Sequence, residues 1–90
     1  MEVSFKPSFV RDFKKLPTEI QKEVRAICFE IFPTLRDLRS FGLYAIKPIS
    51  GFHGYYRIKL SNYRIGFKKN NGGIEFMRVK DRRDIYKFFP

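Results

Sequence analysis

Tryptophan is absent, and cysteine and histidine occur once each, as Cys28 and His53. A lone cysteine closes no internal disulfide, and no Cys/His grouping has the spacing of a zinc site. The sequence therefore predicts a protein of a reducing cytoplasm that holds no metal and no cofactor. Acidic residues are scarce: nine Asp plus Glu stand against nineteen Lys plus Arg, a formal charge of +10 on 10.8 kDa. Solubility alone needs far less charge than this. The surplus points to polyanionic partners, nucleic acid first, with an acidic protein or a membrane surface as the alternatives. No apolar run approaches the ~20 residues of a spanning helix, and Met1-Glu2-Val3-Ser4-Phe5-Lys6 lacks the basic-then-apolar order of a secretion signal. Phenylalanine, by contrast, is abundant: eleven Phe with five Tyr make 18% of the chain aromatic, enough for one real core over a single domain, 1–90.

Val3 and Phe5 alternate with polar neighbours as a short first strand, and Pro7-Ser8 opens a helix carrying Phe9, Phe13 and Leu16 at helical spacing until Pro17 stops it. Thr18-Glu19-Ile20-Gln21 has the form of a capping box, and Ile20, Val24, Ile27, Cys28 and Ile31 then form the apolar stripe of a second helix that runs up to Pro33. The two should pack as an αα-hairpin on one core. Residues 33–54 are read as loop, with a partial strand around Leu43 to Ile49. Beyond Gly54 the alternation is clean. Tyr56, Ile58 and Leu60 share a face with Tyr63, Ile65 and Phe67 across a two-residue turn, Ser61-Asn62. Asn70-Asn71-Gly72-Gly73 forms a second turn before a strand from Ile74 to Val79 whose apolar residues fall on both faces. A final helical turn or two over Asp81 to Phe89 would pack Ile85, Phe88 and Phe89 downward.

In that hairpin Lys59 opposes Arg64 and Arg57 opposes Gly66, on the side away from the core. Like charges directly opposed weaken a sheet, so a purely structural strand has no reason to carry them, whereas a bound phosphate offsets the repulsion. Arg78, Lys80, Arg82 and Arg83 follow one strand later, and Lys68 lies at the far end of the hairpin. The plain alternative is a solvated sheet face with interleaved charges. Cleavage beside a 2′-hydroxyl needs a proton acceptor, cations around the pentavalent phosphate and a donor for the leaving oxygen. Lys, Arg and Tyr suffice for these roles. Lys59 is read as the proton acceptor, Arg64 suits bidentate grip of phosphate oxygens, Arg82 suits the leaving side, and the Tyr86 ring suits base stacking.

Gly51, the run Tyr56-Arg57-Ile58-Lys59-Leu60, the run Tyr63-Arg64-Ile65, and Val79, Arg82 and Ile85-Tyr86 at their spacings resemble the signature of the RelE/ParE toxins of bacterial toxin–antitoxin systems. The strand, short helix, Leu16-Pro17 and longer amphipathic helix of the first half fit the same group, so the resemblance covers essentially the whole chain. It implies an α+β fold: a mostly antiparallel four-stranded sheet with two N-terminal helices packed on it and a short C-terminal helix. It also implies a ribosome-dependent, metal-independent endoribonuclease that cleaves mRNA, held inactive by a cognate acidic antitoxin in a hetero-oligomeric complex. Lys59, Arg64, Arg82 and Tyr86 would be catalytic, with Arg57, Lys68, Arg78, Lys80 and Arg83 as further RNA contacts. The chain departs from the group's pattern in Arg57 for Lys, in Ser61-Asn62 for Gly-Asp, and in Asp81 for the His or Lys that often precedes the arginine. Asp81 would either neutralise Arg82 or orient it.

Two other functions compete with this one. A gyrase poison of the ParE branch shares the fold and needs none of these side chains for catalysis, and a plain RNA- or ribosome-binding module needs only the charge. His53 is read as a solvated loop histidine, Cys28 as a small buried hydrophobe, and Phe41, Phe52 and Tyr55 as core residues or base-stacking platforms.

Overall fold

The computed structural model describes residues 1–41 and 45–90. Strand β1 (Glu2–Phe5) leads into helices α1 (Pro7–Lys14) and α2 (Thr18–Arg25). Then come β2 (Ile46–Pro48), β3 (Tyr55–Leu60), β4 (Tyr63–Asn70), β5 (Gly73–Asp81) and a terminal helix α3 (Ile85–Phe88). The strands form a single sheet in the order β1-β5-β4-β3-β2. The architecture is α+β and the sheet is mostly antiparallel, as expected, but among the described residues it has five strands rather than four and is mixed, with one parallel pairing. β1 runs parallel to β5, because the two-helix excursion returns the chain on the far side of the sheet, and the other pairings are antiparallel. The additional strand is β2, the described part of the partial strand read around Leu43 to Ile49; Leu43 itself and the side chain of Phe41 lie outside the described residues. Ile46 is buried opposite Ile58, and Pro48, which lacks an N–H, suits this edge position.

One face of the sheet meets α1 and α2. Phe9, Val24, Cys28 and Phe32 bury against Ile58, Ile65, Phe67, Ile74, Phe76 and Val79. The aromatic surplus is spent here, on edge and tilted ring contacts joining Phe5, Phe9, Phe32, Phe67 and Phe76. A bulge explains why the apolar residues of β5 seem to fall on both faces. Gly66 pairs with Arg78 but Phe67 pairs with Phe76, so Met77 is an extra residue and Phe76 and Val79 both point inward.

The helices depart from the sequence reading in two ways. The stripe expected to continue to Ile31 passes at Ala26 into a π-turn, which ends at Ile31. The wider turn rotates later residues around the axis, so Ile31 is exposed and Phe32 is buried in its place. Thr18 makes no side-chain cap, and Pro17 occupies the N-cap position; Gln21 instead donates from Nε2 to the Phe13 carbonyl and ties α2 to α1.

Helix α3 covers part of the opposite face. Ile85 and Phe89 are buried there, but Phe88, expected to pack down with them, is half exposed, since a four-residue helix turns only part of its circumference to the sheet. The Phe89 ring lies over Gly66, where a Cβ would come within 2.6 Å of it. Alanine at Gly66 must therefore push Phe89 and the end of α3 off the sheet. We expect Gly66→Ala to lower stability by about 1–3 kcal/mol and to speed amide exchange across residues 85–89; unchanged exchange there would show that the ring accommodates the methyl group.

Candidate functional site

The β3–β4–β5 register sets the site. Lys59 opposes Arg64, which opposes Lys80, so three cations stand side by side on the face away from α1 and α2. The next row holds Arg57, Gly66 and Arg78, and the one after it Tyr55, Lys68 and Glu75. The opposition of Lys59 and Arg64 read from the hairpin is thus present, and the neighbouring strand extends it. Lys59 is exposed and Arg64 half-buried, and among the described residues no carboxylate pairs with Arg57, Lys59, Arg64 or Arg82.

The turn between β3 and β4 gathers the arginines. Arg64 donates from its guanidinium to the carbonyls of Ser61 and Tyr63, at 3.0 and 2.9 Å, and the Arg82 N–H donates to the Asn62 carbonyl at 2.7 Å. Both residues are thereby fixed beside the same two-residue turn. Ser61 adopts a left-handed φ of 53°, a conformation that costs an L-residue with a side chain more than it costs glycine. Ser61→Gly should raise stability by about 0.5–1 kcal/mol by relieving that conformation, visible as a higher melting temperature; a lower one would mean that the serine side chain matters more than the backbone.

Asp81 does not engage the Arg82 guanidinium. Its carboxylate accepts from the Arg83 backbone N–H at 2.8 Å and from Arg83 Nε at 3.4 Å. The backbone bond, helped by the charges of Arg83 and Arg82, holds the Asp81 carboxyl below its ordinary range. Arg83 is thus engaged by Asp81, while Arg82 and, one helical turn on, the exposed Tyr86 lie open to solvent.

Arg78 and Lys80 are differently placed. Asp12 of α1, the one buried charged side chain among the described residues, accepts from Arg78 Nε at 2.8 Å and Nη2 at 3.1 Å and from the Val79 N–H at 3.2 Å, with Lys80 Nζ at 3.5 Å. Both cations also lie 4.8 Å from the centroid of the Phe88 ring. The edge of β5 explains the arrangement. β1 pairs only as far as Phe76; beyond it α1 takes over, Ser8 donating to the Met77 carbonyl and Asp12 accepting from Val79. Sequence reading missed Asp12, although a carboxylate three residues after Phe9 on the apolar face of a helix was a legible signal.

Lys68 lies apart from the first row. It is four residues from Arg64 along β4, roughly 13 Å, and sits 5.2 Å from the Tyr55 ring centroid. His53 is an exposed loop residue beyond Tyr55, at that same end. Cys28 is buried, which pushes its thiol well up from the ordinary value and suits a small hydrophobe. Among the described residues no His/Cys/Asp/Glu group could hold a metal ion, and no helix is long and apolar enough to cross a membrane.

Comparison with known proteins places this geometry among toxins. The family model described as the ParE toxin of type II toxin–antitoxin systems matches residues 3–86. Toxin RelE3 of Methanocaldococcus jannaschii is 42% identical over 92 residues, covering 100% of both chains. The crystal structure of the RelB-RelE antitoxin-toxin complex from Methanococcus jannaschii contains a chain 40% identical, with TM-score 0.77 and coverage of 97% of this chain and 99% of that one. The RelBE2 toxin-antitoxin complex of Mycobacterium tuberculosis contains one 25% identical, with TM-score 0.68 and coverage of 90% and 96%.

Proposed function

The chain belongs to the RelE/ParE superfamily and is a toxin of the RelE type from a type II toxin–antitoxin system, and on that premise we propose that it is an endoribonuclease that cleaves mRNA on the ribosome. The observation that carries this reading is the row Lys59–Arg64–Lys80, with Arg82 held at the same end of the sheet by the Asn62 carbonyl. A phosphodiester laid on that row meets cations from three strands. Lys59 accepts the proton of the 2′-hydroxyl, whose oxygen forms the new bond to phosphorus. Arg64 holds the non-bridging oxygens, and Lys80, with part of its charge answered by Asp12, adds attraction on the same row. The bond to the 5′ oxygen breaks on the side of Arg82, which stabilises or protonates the departing oxygen, and Tyr86 stacks on a neighbouring base. Arg57, Lys68, Arg78 and Arg83 add attraction for the RNA backbone, Arg78 with part of its charge answered by Asp12. A cognate antitoxin is the protein partner; we read it as an acidic segment that covers Arg57, Lys59 and Arg64.

The family model bears the ParE description, so poisoning of DNA gyrase is the reading to set against cleavage. The deciding experiment is single-turnover incubation of the chain with mRNA on programmed ribosomes, with gyrase supercoiling assayed in parallel. Cut mRNA with supercoiling unaffected is the expected result. Intact mRNA with stalled gyrase overturns the nuclease reading in favour of the ParE-like one.

A further inference from the structure

The Lys59–Arg64 row occupies one end of the outer sheet face, and the other end holds a second cluster with no part in that chemistry. Phe52 is 51% exposed there, at the tip of the loop joining β2 to β3. Its exposure is built in. The Phe52 N–H donates to the Ile49 carbonyl, the Tyr55 N–H to the Phe52 carbonyl, the Ile49 N–H to the Tyr55 carbonyl and the Lys69 N–H to the Gly54 carbonyl, while Gly51 and Gly54 take the positive φ angles of 84° and 85° that the tight path requires.

The ring of Phe52 stands edge-on to Tyr55, centroids 6.3 Å apart, and Tyr55 in turn meets the buried Phe89 at 5.8 Å. Cations flank the pair: Lys68 Nζ over the Tyr55 ring, and Lys47, which opposes Arg57 across β2 and β3 and so shares its face. Lys59, Arg57 and Tyr55 are alternate residues of one strand, so they face the same way at steps of roughly 6.6–6.8 Å, past the Phe89 ring that lies over Gly66 beside Arg57, and the Phe52 ring meets Tyr55 at the end of that row.

We propose that Phe52 and Tyr55, with Lys47 and Lys68, form a second RNA subsite that stacks a base of the single strand flanking the cleavage point. A cationic track that ends in aromatic platforms is how unpaired nucleic acid is held without regard to sequence, phosphates on the cations and bases on the rings. The β3 side chains lead from Lys59 past Arg57 to Tyr55, whose ring meets both Phe52 and Lys68 Nζ, and this run of cations into aromatic rings favours RNA over a protein segment at the same place. The subsite rests on the RNA-cleaving reading for its substrate class but not on cleavage itself.

The test is binding of oligoribonucleotides made uncleavable by 2′-O-methylation, measured by fluorescence anisotropy with the whole chain. One oligomer is just long enough to cover the Lys59–Arg64 row, and another has about ten nucleotides. Phe52→Ala should weaken the longer oligomer about tenfold, within the range found for loss of one base–aromatic stack, leave the shorter one unchanged, and melt like the parent; Phe52→Trp should restore binding. Equal affinity of Phe52→Ala and parent for the longer oligomer overturns the subsite, whether or not the parent cuts mRNA. A variant that keeps RNA affinity but loses affinity for the antitoxin overturns it too, in favour of a protein-docking surface. If the parent cuts nothing yet binds RNA in a Phe52-dependent way, the subsite stands and the nuclease reading falls.

Discussion

Alanine at Lys59, Arg64 or Arg82 will slow single-turnover cleavage of ribosome-bound mRNA by about a hundredfold to a thousandfold, the usual cost of removing one group aimed at transition-state charge. RNA affinity will fall much less. The asymmetry follows from the charge distribution: +10 is spread over the whole chain, so each cation is a small part of the attraction, whereas in the proposed reaction only a few surround the scissile phosphate. Lys59→Arg separates charge from proton transfer, since it keeps the cation but not a group that can accept a proton at neutral pH. It should be nearly as slow as Lys59→Ala. A Lys59→Arg variant that cuts at the parent rate would remove Lys59 from the role of proton acceptor and leave it a phosphate contact. Variants whose rate and affinity fall in the same proportion would reduce the whole row to a binding surface.

Asp12→Ala will be among the most destabilising single changes in the chain, although Asp12 lies in none of the motifs. Its carboxylate is 7% exposed and accepts from the Arg78 guanidinium and from the Val79 N–H at the uncovered edge of β5. Removing one member of a buried pair leaves the other unanswered, a loss of about 3–5 kcal/mol. Arg78 and Lys80 retain 21% and 27% exposure and so recover some hydration, which brings the expected loss to about 2–4 kcal/mol. In a domain of this size that lowers the melting temperature by roughly 10–25 °C. Asp12→Asn keeps an acceptor for Val79 and should lie between the two. An Asp12→Ala variant that melts within about 3 °C of the parent would show that the helix–strand contact is held by packing and that the ion pair adds nothing.

The residues themselves determined a good deal. Period-2 alternation from Tyr56 to Phe67 assigns each side chain of the hairpin to a face, because strand geometry leaves no other choice once one face is buried. The opposition of Lys59 to Arg64 follows from the two-residue turn alone. The limits of α1 follow from Pro7, tolerated where no N–H is required, and from Pro17, which cannot continue a helix. The net charge needed no fold to point toward polyanionic partners, nucleic acid first. These are local facts, set by sterics and by neighbours a few residues away.

What depends on distant contacts only the tertiary structure decided. The parallel pairing of β1 with β5 joins residues some seventy positions apart, and nothing near Val3 encodes its partner. The π-turn that buries Phe32 in place of Ile31 and the bulge at Met77 that turns both Phe76 and Val79 inward are each a one-residue change of phase, selected by which side chain fills the core better rather than by propensity. Whether Asp81 would neutralise Arg82 was open in the sequence; the backbone answered it by offering the Arg83 N–H at 2.8 Å. Arg78 and Lys80 look as free as Lys59 on paper. They differ because α1 carries a carboxylate to the edge of β5, and pairing between groups 66 and 68 residues apart in the chain is a property of packed elements, which composition and spacing do not contain.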